Sequence, residues 1–477
     1  MRASHKDATR QRWLETLERY KRHADIPGSD AYWAPSLDTA SRDELIAIQN
    51  AKLAALLPFL YENSPFYRRR FEHLGMLPTD IKTVEDLPKW PVVDKAEMVE
   101  DALAHPPYGT YTTMDEDMWA KRGWMLFASS GTTGAPRVFR YSQIDRDYWA
   151  WANARGLQGM GIGKGDTVFM ISGYGPHVWA WGVQVALAKM GVPVIPGGGM
   201  DARARAHLIQ RFQPTVICCT PSYALYLGRV LQDMGIDPVE TAVQTLFIAG
   251  EPAMGITHTR QRLENLWKAR IVEFYGCTEA SPHVGGYSCA ASVGKDGTVT
   301  THLMEDVQVW ELIDAESREP VTRGERGLTV CTCLNSESSP QLRFLVGDYT
   351  VFDDCVCACG RTHVRAVGAF TGRADDLINL RGIKMYPSQI EEGVRAVPGI
   401  GDEYEIVLST DPSGLDIMSI RVEHPDHEGP DAIAARVAEE VRARCEVRVG
   451  VEVLPPGILP KTEFKAKRVR DARHQGR

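Results

Sequence analysis

Between residues 140 and 275 the chain repeats one pattern: a short apolar run, a glycine-rich or polar break, then a stretch with helical spacing. Val168-Phe169-Met170-Ile171 reads as a strand stopped by Ser172-Gly173-Tyr174-Gly175-Pro176, and Val192-Pro193-Val194-Ile195 as one stopped by Gly197-Gly198-Gly199. Val216–Cys219, Leu246–Ile248 and Ile271–Phe274 continue the series, with helices predicted over 201–211 and from Pro221 to Met234. Strands that are apolar throughout and separated by helices predict a mostly parallel sheet covered on both faces, an α/β fold. Residues 10–75 carry helical spacing throughout. Beyond residue 285 the period drops to two, in Val307–Ile313 and Leu328–Cys331, which predicts antiparallel strands. After Gly372 a small α+β unit is expected, with helices near 387–396 and 431–444.

Bulk properties narrow the class. A chain of 477 residues exceeds one ordinary core, so two or three domains are expected. With 44% apolar and 24% charged residues it reads as soluble and globular. A formal charge of −8 argues against nonspecific binding to nucleic acid or an anionic membrane. The apolar stretch 178–195 is interrupted by Gln184, Lys189 and Pro193, which suits a buried helix and strand better than a membrane span. Ten cysteines without a signal peptide suggest a reducing cytoplasm, with thiols or metal rather than disulfides.

The chemistry begins at Ser129-Ser130-Gly131-Thr132-Thr133-Gly134-Ala135-Pro136-Arg137. Its two glycines and four hydroxyls can bend around a phosphate and offer donors, and Arg137 adds positive charge. It is not a Walker A loop. Ala249-Gly250-Glu251-Pro252 and Tyr275-Gly276-Cys277-Thr278-Glu279 each follow a predicted strand, at the sheet edge where α/β proteins bind ligands. Phe344-Leu345-Val346-Gly347-Asp348 puts an acid at a strand end. The charged and glycine-rich run from Gly372-Arg373-Ala374-Asp375-Asp376 to Arg381 has the composition of a hinge. Leu459–Arg468 is a basic tail. Singly, each of these is also an ordinary loop or a solvated end.

In this order, the segments resemble the adenylate-forming superfamily of acyl-CoA synthetases, and within it the phenylacetate-CoA ligase family. Tyr61-Glu62-Asn63-Ser64-Pro65-Phe66-Tyr67, Pro214 to Tyr223 and Tyr386-Pro387-Ser388-Gln389-Ile390-Glu391 are also similar to that family, so the likeness runs over roughly residues 40–473. The resemblance implies a large N-terminal domain, 1–373, with parallel-rich sheets and a β-rich subdomain, and a mobile C-terminal domain, 374–477. It implies that Ser129, Ser130, Gly131, Thr132, Thr133, Gly134 and Arg137 wrap the phosphates of ATP. Gly250 and Glu251 would flank the adenine, Tyr275 would stack on it, Pro252, Gly276 and Thr278 would belong to the same nucleotide-binding set, and Glu279 would hold Mg²⁺. Asp348 would bind the ribose hydroxyls, Arg373 would contact ribose or phosphate, and Asp375 would be the hinge. Lys465 would be the catalytic lysine. Two departures stand out: Arg137 replaces a common Lys, and Phe464 replaces the usual Gly, which leaves Lys461 and Lys467 as substitutes for Lys465.

The resemblance implies coenzyme A as co-substrate, and a homodimer is common among relatives. The acid is expected to be aromatic, with Tyr174, His177, Trp179, Trp181 and Gly198 near it. Trp179 and Trp181 also fit the core of a helix start, and His177 also fits a helix cap. Cys355-Val356-Cys357-Ala358-Cys359-Gly360 suggests zinc. Relatives with a Cys and a His at matching positions imply Cys289, His302, Cys357 and Cys359 as ligands, with Cys355 or Cys333 as substitutes. The expected activity is an AMP-forming aryl acid–CoA ligase. The alternatives are transfer of the acyl group to a carrier-protein thiol or an amine, and a nucleotide-binding regulator without catalysis.

Overall fold

Serine and acid residues three apart start the long helices. Ser41 accepts from the Glu44 N–H while the Glu44 carboxylate accepts from the Ser41 N–H, opening the helix Arg42–Asn63, and Ser142 with Asp145 opens Gln143–Gly159 in the same way. The computed structural model describes residues 4–21, 28–129, 137–370, 372–381, 383–412, 415–425, 429–462 and 466–473. They form two units, each assembled from stretches distant in sequence.

The first unit comprises residues 1–167, 174–194 and 274–367. The helical spacing expected over 10–75 resolves into His5–Tyr20, Arg42–Asn63 and Pro65–Leu74, and Trp13 stacks on Phe59 at 5.0 Å between the first two. The period-two segments form an antiparallel run in the order Gln308–Ile313, Arg326–Cys333, Phe344–Asp353, Arg365–Val367, Thr300–Leu303, Val284–Tyr287. Register pairs such as Trp310↔Cys331, Phe352↔Ala366 and Tyr287↔His302 fix which side chains share a face. A separate hairpin pairs Gly123–Ala128 with Val138–Ser142, Phe127 opposite Phe139. The Ser/Thr/Gly segment falls between these two strands. Its residues Ser130 to Pro136 lie outside the described residues.

The second unit comprises residues 168–173, 195–273 and 368–477. Its strands Val168–Met170, Val216–Cys219 and Thr245–Ala249 are parallel and fully buried, as their β-branched composition predicts. The strand expected at 192–195 forms over Val194–Pro196, after Pro193, which has no N–H to give a ladder. Helices Ala202–Phe212, Pro221–Asp233 and Thr257–Trp267 follow the strands, the first two capped by Asp201 and Thr220. The stretch from 378 onward builds its own core: Ile390, Val394 and Val437 from helices Pro387–Arg395 and Pro430–Cys445 pack with Ile406 and Ile420 from a four-stranded sheet. Among the described residues no helix is long and apolar enough to cross a membrane.

Candidate active site

In the first unit, Ser129 and Arg137, just beyond the paired residues of the Gly123–Ala128 and Val138–Ser142 hairpin, are tied by the Ser129 N–H donating to the Arg137 carbonyl at 2.9 Å. The Ser129 hydroxyl has no hydrogen-bond partner among the described residues. Arg137 is buried and pairs with buried Glu279, Nη2 to Oε1 at 2.6 Å. Glu279 lies just past the strand Arg270–Gly276, and the neighbouring Thr278 carbonyl is held by the Tyr141 hydroxyl at 2.6 Å. Tyr275 donates its hydroxyl to Asp348 at 2.6 Å. Burial, and next the Asp348 charge, push the Tyr275 phenol well up, so it remains a donor. Burial and then Glu279 push the Cys277 thiol up as well, with Asp348 adding to it. Both carboxylates therefore act on the same short segment. Asp348 is fixed from behind: its N–H donates to the Thr329 hydroxyl at 3.2 Å, and that hydroxyl donates to its carbonyl at 3.0 Å.

In the second unit, Gly250 has φ +87°, a left-handed conformation that L side chains rarely adopt, so the strand end can turn sharply there. The Glu251 carboxylate accepts from the Ser222 hydroxyl at 2.6 Å, the Ser222 N–H at 3.1 Å and the Ala466 N–H at 2.5 Å. Two residues past Glu251, the chain is held by Glu273, whose carboxylate accepts from the Ala253 and Met254 N–H groups at 3.2 and 3.3 Å. Burial raises Glu273 to about 7. Gly198 lies in the turn after Val194–Pro196, where Arg205 donates to the Gly197 carbonyl at 3.0 Å and the Ile171 carbonyl at 3.1 Å. Glu273 and Arg205 went unnoticed in the sequence, because their partners are backbone groups that no residue pattern marks. Arg373 lies 3.7 Å from Asp375, which is exposed in the single turn Ala374–Asp376. Lys465 lies outside the described residues. Of its substitutes, Lys461 sits over the Tyr226 ring at 5.3 Å and Lys467 is exposed.

The aromatic segment also belongs to the first unit. The Tyr174 hydroxyl donates to Gln184 at 2.8 Å, its ring meets Trp181 edge-on at 4.9 Å, and Trp181 Nε1 donates to the Gly175 carbonyl at 3.1 Å. Trp179 and Trp181 are half-buried, not core residues. His177 occupies the N-cap position of Val178–Met190, yet its side chain makes no capping bond. The Ala128 N–H donates to the Pro176 carbonyl at 2.7 Å, joining this segment to the Gly123–Ala128 strand. Behind it, His283 fills the space left by Gly182, where an added Cβ would sit 2.0 Å from the ring. Burial lowers His283 to about 3, so it is neutral.

Cys289, His302, Cys357 and Cys359 bring one ligand atom each to within 4.8 Å of one another. A tetrahedral zinc with Zn–S bonds near 2.3 Å sets sulfurs about 3.8 Å apart and S and N about 3.6 Å apart. Here Cys289 Sγ lies 3.8 Å from Cys357 Sγ, and Cys359 Sγ lies 3.4 Å from His302 Nε2. The donor set fits the metal. Its surroundings fit too: the Ala291 N–H donates to Cys289 Sγ at 3.3 Å, Arg361 to Cys359 Sγ at 3.7 Å, and the Tyr32 hydroxyl to the Cys359 carbonyl at 2.6 Å. The two substitutes sit elsewhere. Cys355 is exposed beside Asp353, and Cys333 accepts from the Ser281 N–H at 3.3 Å. All ten cysteines are free thiols.

Residues 78–331 match the family model for AMP-binding enzyme, and residues 382–473 match that for AMP-binding enzyme C-terminal domain. A phenylacetate-coenzyme A ligase of Thermus thermophilus is 32% identical, over 92% of this chain and 99% of that protein. One from Escherichia coli is 29% identical, over 92% and 97%. Among solved structures, a 2-hydroxyisobutyryl-CoA ligase in a postadenylation state with 2-HIB-AMP is 28% identical, with TM-score 0.86 and 94% of each chain covered. The same ligase with 2-HIB-AMP and CoA in its thioesterification state gives a TM-score of 0.70 at 29% identity, again with 94% of each chain covered.

Proposed function

The chain belongs to the AMP-binding enzyme family, among its phenylacetate-CoA ligases, and from that premise we propose an ATP-dependent ligase for a small aromatic carboxylic acid. The acid is activated as its acyl-AMP and handed to coenzyme A, with release of pyrophosphate and AMP. The observation that most supports this reading is the pairing of side chains expected around one nucleotide: Arg137 with Glu279, and Tyr275 with Asp348.

A carboxylate is a poor acylating agent because its leaving group would be oxide. In the first half-reaction its oxygen attacks the α-phosphorus of ATP in line and pyrophosphate departs. Arg137 and Lys465 would provide positive charge where negative charge accumulates. Glu279 would hold Mg²⁺, which supplies further neutralisation of the phosphates. The family resemblance assigns the ribose hydroxyls to Asp348, the adenine to Gly250, Glu251, Pro252 and Tyr275, and ribose or phosphate to Arg373. Tyr174, in ring contact with Trp181, would offer an aromatic face to the acid, with Trp179 near it. In the second half-reaction the CoA thiol attacks the acyl carbon and AMP leaves. The exposed turn at Asp375 is the hinge about which residues 374–477 move between the two steps.

A panel of acids assayed for pyrophosphate release, with and without CoA, tests the proposal. Phenylacetate, benzoates and 2-hydroxyisobutyrate belong in it. The expected result is acid-dependent pyrophosphate release, with CoA stimulating AMP formation for an aromatic member. ATP splitting only to ADP, or no response to any acid, overturns it. We also propose a structural zinc on Cys289, His302, Cys357 and Cys359. Metal analysis of freshly purified protein is expected to give about one zinc per chain, and none would refute the assignment.

A further inference from the structure

His283 touches both segments that carry the proposed nucleotide and acid roles in the first unit. Its carbonyl packs on Gly276, next to Tyr275, and leaves no room there for a Cβ. Its ring fills the notch at Gly182, in the helix that follows Tyr174 and His177. Trp149 and Phe274 flank the ring, with centroids 4.9 and 5.7 Å away. An acyl-adenylate joins the two roles in one molecule, so a residue seated against both segments is placed to meet its acyl part.

The neighbour Asn153 fixes the tautomer of the ring. Asn153 Nδ2 donates to the Trp149 carbonyl at 2.7 Å. A carbonyl can only accept, so this end of the amide is the NH₂ group. The same Nδ2 lies 3.4 Å from His283 Nδ1, which therefore accepts, and the ring proton sits on Nε2. Trp149 is held in turn, its Nε1 donating to the Ser281 hydroxyl at 2.8 Å. His283 Nε2 and Asn153 Oδ1 have no hydrogen-bond partner among the described residues, although both side chains are buried. One donor and one acceptor are thus unmatched on two neighbouring side chains, an arrangement that buried polar groups rarely keep without a ligand or a water to complete it. The ring is neutral and packed among aromatic rings, which suits a neutral ligand atom better than a carboxylate. A hydroxyl both accepts and donates at one oxygen, so it matches what this pair lacks.

We infer that His283 is a specificity-determining residue whose Nε2–H donates to a hydroxyl oxygen carried by the acid, that Asn153 positions the ring and offers that hydroxyl an acceptor, and that the preferred substrates are hydroxylated aromatic acids. This rests on the ligase reading above and narrows its substrate class.

The test compares phenylacetate with its three ring-hydroxylated isomers and with mandelate, which carries the hydroxyl beside the carboxylate. In pyrophosphate release by the full chain, at least one hydroxylated acid is expected to exceed phenylacetate by about tenfold to a hundredfold in kcat/KM, and the winner shows which carbon bears the hydroxyl. His283→Phe keeps a ring and loses the donor, so it should bring that ratio to within about threefold of unity by lowering the hydroxylated acid alone. His283→Gln retains an N–H donor and should hold part of the preference. Asn153→Leu should raise KM for the hydroxylated acid by about fivefold or more with kcat within about twofold. A preference for phenylacetate over every hydroxylated acid, or a ratio unchanged in His283→Phe, would overturn the assignment. Calorimetry of the wild-type chain with AMP present needs neither turnover nor a variant: a hydroxylated acid should bind about tenfold or more tightly than phenylacetate. Equal affinities, or binding of none of the acids, overturn the assignment as well. Tighter binding of a hydroxylated acid without any pyrophosphate release would support it and would be the failure of the ligase reading alone.

Discussion

Each unit has an arginine–aspartate cluster, and the two differ in their access to water. In the first unit Arg155 donates to Asp38 at 2.8 Å and to Asp306 at 2.9 Å, and no side chain of the three is more than 1% exposed. Lys52 joins them, donating to the Asp306 carbonyl and to Asn335. In the second unit Asp402 takes two arginines, Arg229 and Arg262, but Arg229 is 51% exposed. Separating the first set would strand charges in a dry interior, whereas separating the second re-wets them at small cost. The same side-chain types thus make a dry cluster in one place and a partly wetted one in the other.

Arg155→Ala tests the dry cluster most severely. It should destabilise the chain by about 3–5 kcal/mol, read from chemical denaturation, because Asp38 and Asp306 stay buried without their cation. A loss like that of a surface pair would erase the distinction. Glu279→Gln probes a buried pair that, on the roles proposed above, exchanges partners during turnover. It should cut acyl-adenylate formation by about 10²–10³-fold while the denaturation midpoint moves little. A large fall in midpoint would class Glu279–Arg137 with the dry cluster instead.

Dependence on pH separates the units by sign. In Asp306, Arg155 and Lys52 outweigh burial and hold the carboxyl at about 2, so its contribution is present above 3.8 and is lost as pH falls toward 2. Glu273 is raised from 4.5 to about 7, so its contribution is complete below 4.5 and is lost as pH rises through 7. Glu273→Gln keeps an acceptor for both N–H groups and should flatten the decline between pH 4.5 and 7 in denaturation midpoints. A decline that persists places its source elsewhere. The smallest effect is expected from Lys121→Ala. That lysine pairs with Asp117 on the surface at 2.6 Å, and the midpoint should not measurably change.

The strands at 168–170, 216–219 and 245–249 were legible because strands buried on both faces read as near-continuous apolar runs, which the sequence shows plainly. The thiol quartet was legible in part because Cys357 and Cys359 are two residues apart, a spacing with few other uses. Arg155, Asp38 and Asp306 were invisible. They stand 117 and 151 residues apart, and isolated charges in a sequence read as solvated surface. Glu273 sits inside Ile271-Val272-Glu273-Phe274, where it looks like one polar break in a strand. What makes it matter is a pair of backbone amides contributed by another loop.

Arg137 and Glu279 neutralise each other at 2.6 Å inside the protein. A nucleotide arriving without its cation would claim the guanidinium and leave the carboxylate stranded, facing a polyanion. A bare cation would strand the guanidinium in turn. On the roles proposed above, the pair would act as a gatekeeper of stoichiometry: the MgATP complex would be admitted as one visitor, and ATP stripped of metal by a chelator is expected to be a weak ligand in calorimetry rather than a tight inhibitor.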